Sequence, residues 1–160
     1  TKGTLRLQKP RYFLLPRHSV ATQQSTSSFM TVYLIFSTLS RQKAKRFIFS
    51  QTHSVHSQKN ELNMFDLTKY FDGICISSDE ECSKPDEKYF KTLFDRYGLE
   101  KSESIMIGND YISDIGGAAD FGIDSLYIHQ SISPEIDGEL RSTYKVMDGD
   151  VFKIKKLIVK

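Results

Sequence analysis

The sequence predicts an α/β fold with a mostly parallel sheet covered by helices. Three observations carry that expectation. After Lys45, short apolar runs alternate with helical patterns at the spacing of successive βα units. The run Ser104-Ile105-Met106-Ile107 is too apolar for a one-sided strand and too short for a helix, as expected of a parallel strand buried on both faces. At 160 residues and 39% hydrophobic composition, the chain can bury roughly two-thirds of its unfolded surface in one core.

The elements follow in order. Tyr12-Phe13-Leu14-Leu15 reads as a short strand stopped by Pro16, and Phe29 to Leu39 fits either a strand or a buried helix. Phe47-Ile48-Phe49 is the next strand, residues near Ser54 to Phe65 a helix, and Gly73 to Ser77 a further strand. The clearest helix starts at Pro85 and Asp86, with Asp86 expected to cap its free amides. Its buried face is Phe90, Leu93, Phe94 and Tyr97, at i, i+3, i+4, i+7, and Gly98 ends it. The strand from Ser104 stops at Gly108; a helix from Ile112 to Phe121 and a strand from Ile123 to Ile128 follow. A short strand, Tyr144 to Met147, and a Lys-rich helix, Val151 to Val159, close the pattern.

Charge divides the chain unevenly. Residues 1 to 60 hold ten Lys and Arg and no acid; the rest holds twelve basic residues and all twenty acids. We therefore expect a basic segment over 1–40, linker-like at 18–28, and an α/β core portion over 41–160. The mean hydropathy of −0.39 and the interrupted apolar stretch near residue 30 argue against a membrane span, which needs about 20 apolar residues. Cys75 and Cys82 make neither a disulfide framework nor a Cys-x-x-Cys pair, so a reducing, cytoplasmic setting is expected.

In an open parallel sheet, ligands bind beyond the carboxyl ends of the strands. Four residues stand at such positions: Ser50, Lys84, Asp110 and Asp114. A hydroxyl that donates to a phosphoryl oxygen, an ammonium that offsets its charge and hard carboxylates that hold magnesium suit a phosphate bound beside Mg²⁺. Gly108 would allow a sharp turn after its strand, and Asp110 and Asp114, four apart at a helix start, can face the same way. Small residues from Gly116 to Ala119 would let that helix approach the sheet closely. Each residue also has an ordinary use: a turn hydroxyl, a solvated lysine before proline, a pair of helix-capping carboxylates.

Ser83-Lys84-Pro85-Asp86 resembles the lysine motif of the haloacid dehalogenase-like (HAD) hydrolase superfamily, and Gly108-Asn109-Asp110-Tyr111-Ile112-Ser113-Asp114 resembles its acidic fourth motif. Phe47 to Ser50 is similar to the second motif, although Gln51 replaces the Asn often found next. The likeness spans roughly residues 41 to 155. It implies a Rossmann-like three-layer sandwich whose first, central strand is lacking or replaced, and a Mg²⁺-dependent phosphomonoester phosphatase working through a phosphoaspartyl intermediate. By that resemblance Ser50 and Lys84 bind the phosphoryl group. Lys84 and Asp114 are the catalytic pair, Asp114 positioning Lys84 or a metal-bound water, and Asp110 and Asp114 hold the metal. The expected partner is a phosphorylated small molecule.

That chemistry needs an upstream Asp-x-Asp, and no aspartate precedes Asp66. Pro16 stands where the nucleophile would follow the strand Tyr12 to Leu15, so no nucleophile is assigned. The later Asp148-Gly149-Asp150 has the local pattern at the wrong end of the chain, where a turn is the commoner use of Asp-Gly. The expectation is a truncated or inactive hydrolase. The alternative is a non-catalytic binding module whose basic N-terminal segment attracts nucleic acid or an anionic surface; dispersed charges and the absence of a recognition motif disfavour nucleic acid. A transit peptide is a weaker reading of the same Ser-rich start. His53 and His56 lack a third ligand nearby, so no zinc is expected, and His129 is expected to be structural or solvated.

Overall fold

The computed structural model describes residues 12–15, 46–51, 63, 66, 68–76, 82–131, 133–150 and 152–158. The strands are β1 (Tyr12–Leu15), β2 (Arg46–Gln51), β3 (Gly73–Ile76), β4 (Ser104–Gly108), β5 (Asp124–Ile128) and β6 (Tyr144–Val146). The helices are α1 (Glu87–Tyr97), α2 (Gly117–Phe121) and α3 (Phe152–Ile158). The expected linker at 18–28, the stretch Phe29 to Leu39, Pro16, His53 and His56 lie outside the described residues, as does the helix expected near 54–65 except at Asn63.

All six strands are parallel, in the order β3-β2-β1-β4-β5-β6. The α/β expectation is met, and the centre of the sheet is filled: Tyr12–Leu15 lies between β2 and β4, with Phe13 opposite both Phe47 and Ile105. The central strand is thus replaced rather than lacking, by four residues from the segment the charge distribution had set apart. The order reverses between β1 and β4, which puts the ligand crevice of such a sheet above the carboxyl ends of those two strands.

Burial explains the local choices. Every residue of β4 is buried, so its sequence reads apolar without alternation. Ile48, Cys75 and Met106 from three strands meet Tyr89, Phe90, Leu93 and Phe94 of α1 and Ala118 and Phe121 of α2 in one core cluster. Each fully buried Leu or Phe contributes about 1.5–3 kcal/mol. Phe121 stacks on Phe90 with ring centroids 5.5 Å apart and meets the edge of Phe94 at 4.9 Å. Tyr97 anchors the end of α1, its hydroxyl donating to the Ile74 carbonyl at 2.9 Å while Arg46 donates to the Tyr97 carbonyl at 2.8 Å.

Two details differ from expectation. Asp86 makes no side-chain cap on α1; its carbonyl accepts from the Tyr89 amide instead. The helix expected from Ile112 is two structures in series, a π-helical turn over Tyr111–Gly116 running into α2. The small residues do serve close approach: a Cβ on Gly117 would stand 2.6 Å from the Phe90 ring and 3.0 Å from Pro85 Cα.

Candidate functional site

Lys84 and Asp114 form an ion pair with Nζ 2.7 Å from Oδ1 and side chains only 1% and 2% exposed. Lys84 precedes α1 on the loop after β3, and Asp114 comes from the π-helical turn after β4. Two elements thirty residues apart in sequence therefore meet beside the end of the sheet. The wide turn swings Asp114 back against β4, so closely that a Cβ on Gly108 would lie 2.4 Å from Asp114 Cβ. Gly108 is needed for this approach more than for a special backbone angle. The other Asp114 oxygen accepts from the Asp110 amide at 3.2 Å.

Asp110 is 8% exposed, and its Oδ1 accepts from the amides of Ile112 and Ser113, both at 2.9 Å. It caps the π-helical turn, satisfying amides that have no partner within a helix's first turn. The two carboxylates therefore serve different partners, one a lysine and one a pair of backbone amides, although they are four residues apart as the motif requires. Between them sits the link from the Asp110 amide to Asp114 Oδ2, which ties both to the end of β4.

Ser50 belongs to a second hydrogen-bond chain. Its hydroxyl is fully buried and 3.0 Å from the Tyr89 hydroxyl, which donates to the Cys75 carbonyl at 3.2 Å. With that donation made, the Ser50 hydroxyl is the donor to Tyr89. Lys84, Asp110 and Asp114 are thus brought together directly, whereas the Ser50 hydroxyl bonds Tyr89 on the first turn of α1. Tyr89 went unnoticed in the sequence, although its position four residues before Leu93 marks it as part of the same buried face. Asn109 also went unassigned: it is 5% exposed, and its Nδ2 has no hydrogen-bond partner among the described residues.

Magnesium takes six oxygen ligands with near-octahedral geometry, usually including several waters. No group of three or more His, Cys, Asp or Glu stands together among the described residues. Both oxygens of Asp114 already accept from positively polarised donors, and Asp110 Oδ1 accepts from two amides. Asp110 and Asp114 are the carboxylates at this end of the sheet that would hold such an ion together with water, and each already accepts hydrogen bonds from its own neighbours.

The remaining sequence candidate resolves into a turn. Asp148 pairs with Lys153 and accepts from the Asp150 amide, while Asp150 accepts from the Phe152 amide at 3.0 Å at the start of α3. The Lys153 ammonium, then the Asp150 amide, hold the Asp148 carboxyl below its ordinary value. This turn follows β6, at the edge of the sheet and three strands from β1. At about 4.8 Å between neighbours that is roughly 14 Å away. His129 is exposed and its ring lies 3.2 Å from the Tyr127 hydroxyl. Among the described residues no helix is long and apolar enough to cross a membrane.

Comparison with known proteins agrees with this topology. The chain is 34% identical over 68 residues to the bovine (Bos taurus) phospholysine phosphohistidine inorganic pyrophosphate phosphatase, covering 41% of this chain and 25% of that one. It is 29% identical over 84 residues to the glyceraldehyde 3-phosphate phosphatase of Pyrococcus furiosus, covering 52% and 35%. The chain thus spans about a quarter to a third of the curated relatives it matches. Among solved structures, the magnesium-bound HAD-hydrolase YfnB from Bacillus subtilis superposes with a TM-score of 0.75 at 14% identity, over 96% of this chain and 100% of that one. A HAD phosphatase from Thermococcus onnurineus gives 0.64 at 21% identity, over 82% and 56%. The family model of haloacid dehalogenase-like hydrolases matches residues 7–128, a stretch running from just before β1 to the end of β5, and the chain belongs to that family.

Proposed function

We propose that this chain binds a phosphorylated small molecule at the carboxyl edge of its sheet and does not hydrolyse it unaided. The observation that carries this reading is the buried Lys84–Asp114 pair beside the strand-order reversal. Burying an ion pair costs desolvation, and replacing such a pair with apolar side chains is often neutral or stabilising. A lysine ammonium held there supplies a fixed positive charge for a phosphoryl oxygen, at a site partly shielded from water. Lys84 has three N–H donors, of which Asp114 takes one. Ser50, oriented by Tyr89, is a second phosphoryl donor if its hydroxyl rotates away from that partner. Asp114 acts as the positioning residue for Lys84, and Asp110 shapes the turn that carries Asp114.

Hydrolysis through a phosphoaspartyl intermediate requires a carboxylate after β1, where the sequence has Pro16. The matched relatives with phosphatase names support the phosphate ligand as a class, without identifying its organic part. Titration of the chain with phosphomonoesters tests the reading. Saturable binding, weakened by Lys84→Met, is the expected result, and absence of binding refutes it.

A further inference from the structure

We propose that the groove between the π-helical turn and the connection from β5 to β6 is a docking site for a partner protein, which inserts a lysine or arginine side chain flanked by apolar residues. Docking there does not depend on the phosphoryl-binding role proposed above. The groove has a volume of about 410 Å³, within the range of sites that enclose a small ligand. Two sets of bonds build it. The Tyr111 hydroxyl donates to the Asp137 carbonyl at 3.0 Å and ties the π-helical turn to the connection. Arg141, from the same connection, donates to the Gly116 carbonyl at 3.3 Å and bonds Asp120 of α2 at 2.7 Å. Both sides are thus held in place before a partner arrives, which lowers the cost of binding.

The lining is of two kinds. Pro85 and Ile112 give it an apolar wall, and Ile112 is a large apolar side chain left 55% exposed. Asp137 and Glu139 give it an acidic rim. Among the described residues Arg141 is the only cation of the lining, and it is engaged by Asp120, so the rim keeps an uncompensated negative charge. A cation on an alkyl stem complements both: the stem lies on Pro85 and Ile112 while the charged head stays beside the carboxylates and in water. An anion would meet two like charges. Pro85, Asp137 and Glu139 are all exposed, so the mouth is open. An apolar neighbour of the inserted side chain would cover Ile112 there, which a free amine cannot do, and this favours a cation carried by a protein.

The test titrates the full chain, followed by backbone amide NMR, with a short end-blocked peptide that has lysine between two leucines. The same peptide with glutamate in place of lysine, and n-butylamine, serve as comparisons. Saturable binding of the lysine peptide is expected, with shifts centred on Tyr111, Ile112, Asp137 and Glu139 and weakening as salt rises. The glutamate peptide should not bind, and n-butylamine should bind more weakly than the lysine peptide. Asp137→Asn with Glu139→Gln should weaken the lysine peptide about five-fold, the loss of two exposed ion pairs, without lowering the thermal midpoint. The glutamate comparison needs no variant and holds even if that double variant does not fold. No binding of the lysine peptide, equal binding of the two peptides, or unchanged affinity in a folded double variant overturns the inference. Binding of n-butylamine as tight as that of the lysine peptide overturns the protein partner. None of these outcomes touches phosphate recognition, which is measured separately.

Discussion

Lys84 and Asp114 are joined at 2.7 Å with almost no exposure to solvent, so each buried charge is offset by the other. A buried charge without its partner costs far more than the pair contributes. Lys84→Met should therefore destabilise the fold by about 3–5 kcal/mol, whereas Lys84→Met with Asp114→Leu should recover most of that loss. Denaturant unfolding of the three proteins measures it. Equal stability of single and double variants would mean the pair is solvated in solution.

Gly108 is the second constraint on Asp114. A methyl group there would sit 2.5 Å from Asp114 Oδ2. Gly108→Ala should cost about 1–3 kcal/mol by overpacking and should weaken phosphate binding, since the carboxylate that orients Lys84 must move. A stability loss with unchanged binding would show that Lys84 does not depend on Asp114 for its placement.

Removal of the Tyr89 hydroxyl separates packing from hydrogen bonding at Ser50. Tyr89→Phe keeps the ring in the core but leaves the buried Ser50 hydroxyl and the Cys75 carbonyl without this partner. A loss of about 1–3 kcal/mol is expected by thermal or chemical unfolding. A stability equal to that of the parent would show that water replaces the tyrosine.

Arg141 bonds Asp120 at 2.7 Å and holds that carboxyl below its ordinary value of 3.8. The folded-state value is depressed, so the stabilisation is present above the unfolded value and is lost as pH falls through the folded one. Both side chains are substantially exposed, and the effect is small and screened by salt. Asp120→Asn should lower the thermal midpoint slightly at neutral pH and low salt. The difference should shrink as pH falls through the depressed folded-state value and vanish once the carboxyl is protonated in both states. A difference that persisted in acid would belong to packing.

Much of the framework was legible because one physical signal dominated each element. β4 reads as a continuous apolar run since both its faces are covered, and α1 shows Phe90, Leu93 and Phe94 on one stripe since one face packs on the sheet. The two motifs around Lys84 and Asp114 named the residues that meet. What they could not convey was the destination of each hydrogen bond. Asp110 and Asp114 share a spacing that suits one ligand, yet local amides compete for Asp110 and a lysine for Asp114. The π-helical turn was equally hidden, because its extra residue per turn leaves the apolar pattern from Ile112 to Phe121 nearly unchanged. β1 was read as a short strand, but its central place depends on pairing with β2 and β4, a long-range fact no local pattern encodes.

Binding without turnover is best followed on one sample: equilibrium binding of a generic phosphomonoester and its release of inorganic phosphate, with and without Mg²⁺, beside Lys84→Met and Asp148→Asn. Saturable binding that depends on Lys84 is expected, with negligible hydrolysis in every sample. Robust Mg²⁺-dependent hydrolysis, above all if Asp148→Asn abolished it, would contradict it, as would a chain that bound no phosphomonoester at all.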